Sequence, residues 1–383
     1  MRICLVYDCL YPWTVGGAER WMRDLAVRLV AAGHSVTYLT RQQWDAGDEP
    51  AIPGVRVIAV ARREGLYGPD GTRRIGQPLR FGWGVLVHLL RNRRSYDAVH
   101  TCAFPYFSLL AARLALAGRG IPVGVDWFEV WSLAYWTRYL GPLRGTIGWA
   151  VQRLCVLVTP KAFVFSRLHA RRLREEGLRS EPVRLGGLYA GAVEPRPEIR
   201  ANDADPLVVF AGRHIAEKRA PSVPAAVLAA RKRVPSLRGL VLGDGPERPK
   251  VLSAIAAAGA RGTVEAPGFV SDDELREALA RATCLLLPSS REGYGLVVIE
   301  AAAVGTPSVV VAGYDNAAVE LVEEGVNGFV AASEDPQAVA DALVRCVEGG
   351  AALRASTAAW FAERAIHLSV AESAERVVAQ YSG

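Results

Sequence analysis

The chain has 383 residues, of which 51% are hydrophobic and 22% are charged. These proportions are typical of a globular protein and exclude a disordered or low-complexity chain, and the length predicts two domains. The net charge of +6 is unevenly distributed. Residues 1–195 carry 26 Lys and Arg against 15 Asp and Glu, whereas residues 196–383 carry 19 against 24.

The basic N-terminal half indicates an anionic acceptor or an anionic membrane surface as its partner. Nucleic acid fits less well, because no aromatic-basic recognition motif accompanies the charge. A solvated basic surface without any partner explains the same charge equally well.

The N-terminal residues are expected to form a strand, because their apolar run meets Asp8 too early for a signal peptide. No apolar stretch reaches the ~20 residues that a membrane-spanning helix needs. The six cysteines show neither C-x-x-C pairs nor metal-ligand spacing, which favours reduced thiols. We therefore expect a cytoplasmic protein that is soluble or peripheral at the inner membrane face.

Short apolar runs alternate with amphipathic stretches along the whole chain, which is typical of parallel sheets covered by helices. Ligands of such sheets bind beyond the carboxyl ends of the strands, so residues that follow strands are the candidates for a site. The strands predicted in the first half span residues 2–7, 35–40, 55–59, 98–102, 123–126 and 162–166. Those predicted in the second half span residues 207–211, 237–243, 263–266, 284–288 and 308–312.

Two proline-punctuated polar stretches, residues 194–197 and 202–206, separate the halves. Neither can continue a helix or a central strand, because proline lacks the backbone donor that both structures use. We therefore place the domain linker there.

Gly16 and Gly17 follow the first strand and precede a predicted helix. Glycines allow the backbone to approach a ligand closely, and a helix N-terminus offers N–H groups to a phosphate or a sugar hydroxyl. A tight structural turn would use the same residues. The dinucleotide fingerprint G-x-G-x-x-G is absent, and no acidic residue follows the second strand.

Aromatic residues are concentrated between positions 127 and 149, and Trp131 is one of them. Aromatic rings with a polar edge serve both sugar stacking and membrane interfaces. Core packing is the expected role of at least half of these side chains.

In the second half, the strand at 207–211 runs into Gly212 and Arg213, and Lys218 follows shortly after. Two cations beyond a strand end can hold a diphosphate, since a guanidinium binds two oxygens at once. Ordinary loop charge is the alternative interpretation. Gly243 and Gly268 end the next two strands, where turn geometry alone also explains a glycine.

The segment 289–307 carries the strongest signal. Glu292 lies after the strand at 284–288, and a helix is predicted to begin near Gly295 with its N–H groups free. Glu300 follows Glu292 by about two helical turns, so both carboxylates are expected on one side, where one binds sugar hydroxyls and the other a ribose diol. Paired carboxylates are also common on surfaces, but this helix is apolar, so Glu300 should be partly buried.

The order of these motifs resembles that of the retaining GT-B glycosyltransferases of family GT4, over essentially the whole chain. The resemblance implies two Rossmann-like domains that face each other across a central cleft, with acceptor binding in residues 1–195 and donor binding in residues 196–358. It also implies that residues 359–383 form a C-terminal helix that packs back on the N-terminal domain. Trp360 and Phe361 would be its anchors. The motifs that carry the resemblance are Gly16-Gly17, Gly212-Arg213 with Lys218, residues 243–246, residues 268–270 and Glu292-x7-Glu300.

The resemblance implies a nucleotide-diphosphate sugar as donor. Arg213 and Lys218 would hold its diphosphate, and Glu300 would hold the ribose hydroxyls. The nucleobase would lie beside Phe269 and Val270.

Glu292 would bind the transferred sugar, and Gly16 and Gly17 would close over the phosphates. Such enzymes need no divalent metal, because cations and helix N-termini stabilise the departing nucleotide diphosphate. The chain agrees in showing no His/Asp cluster, and we expect no cofactor besides the nucleotide sugar as co-substrate. The remaining donor-binding residues implied are Gly212, Gly243, Tyr294, Gly295 and Leu296.

The chain departs from the family pattern at Phe128, where many relatives carry a histidine that faces the transferred sugar. Asp126, Glu129 or Cys102 could replace this proton acceptor, or the leaving phosphate could take the proton in a front-face retaining reaction. We favour the leaving phosphate, and core packing is an alternative role for Phe128. The other residues expected on the acceptor side are His100 and Trp131.

We therefore expect a hexosyl or related glycosyl group to pass, with retention of configuration, to a hydroxyl of a small-molecule, lipid-linked or glycan acceptor. One alternative is a non-catalytic nucleotide-sugar-binding subunit, which Phe128 suggests. Another is a non-hydrolysing nucleotide-sugar epimerase. Such an enzyme needs several carboxylates and a histidine around the sugar, and His100 and His214 offer little for that role. The sequence leaves the nucleobase, sugar and acceptor open.

Overall fold

The computed structural model describes residues 1–64, 76–191 and 205–381. The chain divides into two compact units, of which the first contains residues 1–190 and 370–383 and the second residues 191–369. The linker stretch at 194–197 and the expected boundary after residue 195 lie outside the described residues.

The first unit contains a seven-stranded sheet in which all paired strands are parallel. Its central strands are buried along almost their whole length, which explains their continuous apolar runs. The strands are β1 (Arg2–Val6), β2 (Ser35–Arg41), β3 (Val55–Ala61), β4 (Ala98–Cys102), β5 (Val123–Trp127), β6 (Lys161–Val164) and β7 (Val183–Arg184). The order across the sheet is β3-β2-β1-β4-β5-β6-β7.

Among the described residues before the linker, the α-helices of the first unit are α1 (Gly17–Ala31), α2 (Gly76–Asn92), α3 (Phe107–Ala115), α4 (Leu133–Leu140), α5 (Pro142–Val158) and α6 (Arg167–Glu175). Successive side chains of a strand point to opposite sides of the sheet. On one side, α2, α3, α5 and α6 bury their apolar faces in a core that includes Phe81, Val125 and Trp127. Trp21 of α1 contacts Asp126, which points to the other side.

The second unit repeats the same strand order, β10-β9-β8-β11-β13-β15, again with parallel neighbours. Two short strands, β12 and β14, pair separately. The strands are β8 (Leu207–Ala211), β9 (Arg238–Leu242), β10 (Val264–Gly268), β11 (Cys284–Leu287), β12 (Arg291–Glu292), β13 (Ser308–Val311), β14 (Asp315–Asn316) and β15 (Gly328–Ala331).

The helices of the second unit are α7 (Val223–Arg231), α8 (Arg248–Ala257), α9 (Asp272–Arg281), α10 (Leu296–Ala303) and α11 (Pro336–Arg364). Helices α7, α8 and α11 contribute to one hydrophobic core, and α9 and α10 contribute to a second one. Alternate residues of the strands enter the two cores, so the sheet is covered on both faces. Both units are therefore Rossmann-like α/β domains, as expected.

The sequence predicts that the chain returns to the first unit at residue 359, but in the structure this return comes later. Helix α11 is interrupted at Gly350, and its second half stays with the second unit. The buried Arg354 holds it there by donating to the carbonyl oxygens of Ala282 and Ala280. Trp360 and Phe361 are buried and belong to the second unit, before the returning segment begins.

The chain joins the first unit at Val370, where α12 (Val370–Ala379) begins and packs against α1. The backbone N–H of Val370 donates to the carbonyl of Tyr189 over 2.9 Å. Ser373 Oγ donates to the carbonyl of Gly187 over 2.7 Å. These bonds fix the start of α12 on the first unit.

All six cysteines are buried and free of disulfide bonds. Among residues 1–64, 76–191 and 205–381, no helix combines the length and the apolar character that crossing a membrane requires.

Tyr381 inserts its side chain into the core of the first unit. Its hydroxyl lies 2.6 Å from Nδ1 of His100. A Cβ added to Gly124 would overlap this hydroxyl and come within 2.8 Å of the Phe163 ring. The missing side chain at Gly124 therefore provides the space that Tyr381 occupies.

We expect Gly124→Ala to lower the free energy of unfolding by about 1–3 kcal/mol, because the added methyl group overpacks a buried site. Urea denaturation measures the change. Gly17→Ala is the matched control, since its Cβ would meet no atom within 4 Å. Because Tyr381→Phe removes one clashing atom, the double variant should lose less stability than the sum of the single losses. Equal stability of Gly124→Ala and Gly17→Ala would contradict this packing.

Candidate functional site

Three loops of the second unit follow adjacent strands and are joined through their backbones. The N–H of His214, after β8, donates to the carbonyl of Asp244, after β9, over 2.8 Å. The N–H of Gly243 donates to the carbonyl of Gly268, at the end of β10, also over 2.8 Å. Gly243 has a φ of +118°, and a Cβ there would overlap the Gly212 carbonyl. Glycine thus allows these loops to pack backbone against backbone.

His214 is buried beneath these loops. Its ring packs near Phe210, with 5.9 Å between ring centroids. Burial is the main cause that lowers the pKa of His214, and the charge of Arg248 lowers it further. Asp244 opposes this shift. The imidazole is therefore held neutral, and it supports the loop as an uncharged ring.

The structure brings Lys218 and Glu292 together, although 74 positions separate them in the sequence. The ammonium group of Lys218 bonds to Oε1 of Glu292, and Ser289 Oγ donates to the same oxygen over 2.8 Å. Glu292 is buried, and Lys218 is partly buried. Arg213 lies exposed just beyond β8. A cation and a carboxylate thus meet at one point, with a second cation on the loop that carries Lys218.

A second ion pair runs beside the first. Arg291 precedes Glu292, and Glu217 precedes Lys218. Nη2 of Arg291 lies 3.4 Å from Oε1 of Glu217. The N–H of Ser290 also donates to the carbonyl of Glu217 over 2.9 Å. The turn that carries Lys218 and the segment that carries Glu292 are therefore fixed to each other by several bonds.

Asn316 supports the Glu292 segment from below. In the short sheet, Glu292 of β12 is the register partner of Asn316 of β14. The buried amide of Asn316 donates to the carbonyls of Ser289 and Val311 over 3.1 and 2.8 Å, and its oxygen accepts from the N–H of Ala318. All polar atoms of this amide are thus used to hold the loop.

Helix α10 begins directly after this segment. Gly295 is its N-cap, with φ of +100°, and a Cβ there would come within 2.7 Å of the Ala318 Cβ. The first N–H groups of a helix have no carbonyl partner within the helix, so those near Leu296 can bind an anion or a hydroxyl. Tyr294 is buried beside them, and Glu300 is half-buried in the body of the helix. Glu292 and Glu300 therefore lie on different elements, a strand and a helix.

Phe269 and Val270 directly follow β10, at the same edge of the sheet as these loops. Phe269 is among the exposed large hydrophobic residues, and Val270 is half-buried. An exposed aromatic ring at a strand end can stack on a planar ring such as a nucleobase.

In the first unit, Gly16 is the N-cap of α1 and Gly17 is its first residue. The buried carboxylate of Glu19 lies against Gly16, so that a Cβ at position 16 would overlap it. A carboxylate in the first helical turn is stabilised by the helix dipole. Burial, followed by the nearby charge of Glu19, raises the pKa of Tyr7 well above its usual value, so this phenol stays protonated.

A buried hydrogen-bond network centres on Asp126 at the carboxyl end of β5. Its Oδ2 accepts from Trp21 Nε1 over 2.6 Å and lies 2.8 Å from Nε2 of His100. Nδ1 of His100 then faces the hydroxyl of Tyr381. Burial and the charge of Asp126 raise the pKa of Tyr381 well above its usual value, so its hydroxyl stays a donor. Oδ1 of Asp126 has no hydrogen-bond partner within the described part of the chain.

The other acceptor-side residues differ in what they can do. Cys102 is buried, and burial followed by the charge of Asp126 raises its pKa well above the usual value, so it cannot serve as a base. Phe128 is half-buried and stacks on Phe165, with ring centroids 5.4 Å apart. Glu129 accepts from the indole N–H of Trp131 over 2.6 Å.

Two family models account for most of the chain. Residues 16–186 match the glycosyl transferase 4-like domain, and residues 194–360 match the glycosyl transferases group 1. The chain belongs to the GT4-type GT-B glycosyltransferases. The membership of this family proposed from the motifs is thereby confirmed.

This glycosyltransferase is 28% identical over 332 residues to a glycogen synthase of Mycobacterium tuberculosis, which covers 81% of this chain and 77% of that enzyme. Two other curated relatives match this chain over only 34% and 40% of their own length. Among solved structures, sucrose-phosphate synthase from Thermosynechococcus elongatus superimposes with a TM-score of 0.79 at 19% identity, covering 100% and 98% of the two chains. Anabaena HepE, solved with UDP-glucose, gives 0.72 at 16% identity and covers 100% and 99%.

Sequence reasoning missed several residues that hold the site of this glycosyltransferase together. Asn316 was not singled out in the sequence. Trp21 and Tyr381 carried no signal, because a buried hydrogen bond to a distant residue leaves no local pattern. Ser289 opened the segment with the strongest signal, but its bond to Glu292 was not foreseen. Glu19 stood next to Gly16-Gly17 but was not singled out.

Proposed function

We propose that this chain transfers a glycosyl group from a nucleotide-diphosphate sugar to an acceptor hydroxyl with retention of anomeric configuration. The observation that carries the proposal is the Lys218–Glu292 pair beside the N-terminus of α10, in the unit that matches the group 1 family. HepE, which shares the fold, was solved with UDP-glucose, and this supports a nucleotide sugar as donor.

The second unit is proposed to bind the donor. Arg213 and Lys218 carry positive charge next to the loops after β8 and β9, where a diphosphate would gain charge-assisted hydrogen bonds. When the bond to the sugar breaks, these bonds become stronger, because negative charge accumulates on the leaving phosphate. This supply of positive charge supports a reaction without a divalent metal or a further cofactor.

The sugar and the nucleoside would be held on either side of the diphosphate. Glu292 is the carboxylate proposed to accept sugar hydroxyls, with the first N–H groups of α10 beside it. Glu300 is proposed to bind the ribose diol, since it is half-buried in the same helix. Phe269 and Val270 are proposed to contact the nucleobase.

The first unit is proposed to bind the acceptor, and its excess of basic residues suits an anionic small-molecule, lipid-linked or glycan acceptor. Phe128 cannot accept a proton, and Cys102 stays a thiol. We therefore propose that the leaving phosphate takes the acceptor proton. The bond from the anomeric carbon to the phosphate oxygen breaks, the acceptor oxygen bonds to that carbon on the same face, and the proton passes to the phosphate.

The direct test is incubation of the purified chain with UDP-, GDP-, ADP- and dTDP-sugars, with thermal stability and nucleotide release as readouts. One donor class should raise the melting temperature, because it binds only the native state. Nucleotide release should continue in EDTA. A stabilising donor without any release or transfer would favour the non-catalytic binding subunit. Release that returns only after a metal is added would contradict metal independence.

We expect Arg213→Ala and Lys218→Ala each to reduce kcat/KM by about a hundredfold or more. Each removes a charge-assisted bond to the leaving diphosphate that contributes roughly 2–4 kcal/mol to transition-state stabilisation. Lys250→Ala is the matched control, since the exposed ammonium group of Lys250 pairs with Glu247 at the surface. Near-normal kcat/KM in both clamp variants, with intact folding, would remove these residues from the donor site.

If the leaving phosphate accepts the proton, Asp126→Asn and Glu129→Gln should keep measurable turnover, with losses of about a hundredfold or less. Loss of a true general base typically costs about 10²–10⁴-fold. The measurement is a pH–rate profile of each variant, with the product anomer assigned by NMR, and Cys102→Ala serves as a control. An acidic limb that is present in the wild type and absent in a nearly inactive carboxylate variant would show that the protein supplies the base.

A further inference from the structure

Helix α5 carries an apolar stripe on its exposed face. Leu143, Ile147, Ala150, Leu154 and Leu157 follow one another at steps of four and three residues, so they lie along one side of the helix. Their side chains are all exposed, and the four large ones are 75%, 55%, 48% and 41% exposed in chain order. The stripe runs along nearly the whole helix, about 21 Å at 1.5 Å per residue.

The opposite face of α5 is fixed to the core of the first unit. Cys155 and Val156 are buried in that core, and Gln152 bonds to the backbone of Trp131 in both directions. A Cβ at Gly148 would lie 2.6 Å from the ring of Trp136 in α4, so the two helices pack closely. Because α5 is held this way, it cannot rotate to bury the exposed stripe.

The charge on these two helices has one sign. Residues 130–174 contain no Asp or Glu, whereas Arg138, Arg144 and Arg153 are exposed on α4 and α5. The helices on the same side of the sheet continue the pattern, since Trp83 of α2 and Leu114 of α3 are each 67% exposed. An apolar stripe flanked by arginines alone is the composition of a helix that lies on an anionic membrane surface.

A second copy of the chain is the other candidate to cover such a stripe, because steps of four and three also suit a helix pair. Two copies of α5 would bring Arg144 and Arg153 near the same residues of the partner helix. Neither α4 nor α5 contains a carboxylate to pair with them, so like charges would repel. An anionic surface, by contrast, is attracted by every one of these arginines.

We propose that α4 and α5 form the surface through which this chain binds peripherally to a bilayer that contains anionic phospholipid. The stripe of α5 enters the boundary between headgroups and acyl chains, while Arg138, Arg144 and Arg153 contact the phosphates. This surface is separate from the residues proposed for the donor, so binding to lipid can be tested without any sugar substrate.

The test is co-sedimentation of the full chain with vesicles of phosphatidylcholine alone and of equal parts phosphatidylcholine and phosphatidylglycerol. We expect binding only to the anionic vesicles, and weaker binding as salt is raised. The triple variant Leu143→Gln, Ile147→Gln, Leu154→Gln should bind at least about tenfold more weakly, since it removes the inserted apolar groups. Arg144→Gln with Arg153→Gln should weaken binding by about thirtyfold, the factor for two charges at the membrane.

Leu252→Gln with Ile366→Gln is the matched control, because these residues of the second unit are 47% and 72% exposed and lie on neither helix. The control should bind vesicles as the wild type does. Circular dichroism melting checks that every variant folds. Wild-type protein that binds no anionic vesicle, or a triple variant that binds as well as the control, would overturn the proposal. A dimer in light scattering that the triple variant abolishes, without vesicle binding, would show that a second copy covers the stripe.

Discussion

Every paired strand in the two main sheets is parallel to its neighbours, and this constraint determines where function can lie. In a parallel sheet all strands end at one edge, so the loops that follow them are collected there. The loops after β8, β9 and β10 show the result, since Gly243 bonds to Gly268 while His214 bonds to Asp244. In the first unit the same constraint brings His100 of β4 and Asp126 of β5 within hydrogen-bond distance.

Each of the two candidate sites contains a buried carboxylate that has hydrogen-bonding partners. An unpaired buried charge would cost several kcal/mol, whereas a paired and hydrogen-bonded one is tolerated. Glu292 has Lys218 and Ser289, and Asp126 has Trp21 and His100. The ion pair with Glu292 holds the ammonium group of Lys218 at the start of the segment that leads into α10.

Helix α5 shows how one element can serve two environments. Its inner face belongs to the core of the first unit, and its outer face is apolar as well. A helix that only covers a sheet needs polar residues on its outer face. The exposed leucines and arginines of α5 are therefore explained by a surface outside the chain and not by the stability of the fold.

The sequence alone determined the architecture and indicated the loops that we propose to bind the donor. Every strand predicted from an apolar run is present. The central strands are apolar throughout because they are buried on both faces. The strands it missed were β7, β12 and β14, which have two residues each, and β15, which begins at Gly328. A two-residue strand is too short to show a period of its own. The glycines and the charges of the proposed donor loops were also visible, since their residue types suffice to indicate the chemistry.

Only the tertiary structure decided which of these residues meet. The bond between Lys218 and Glu292 spans 74 positions, and that between His100 and Tyr381 spans 281. No local pattern encodes such a pair, because either residue alone has several plausible environments. The return to the first unit at Val370 was misplaced for the same reason. Arg354 binds carbonyl groups far away in the sequence, and that contact holds the preceding helix to the second unit.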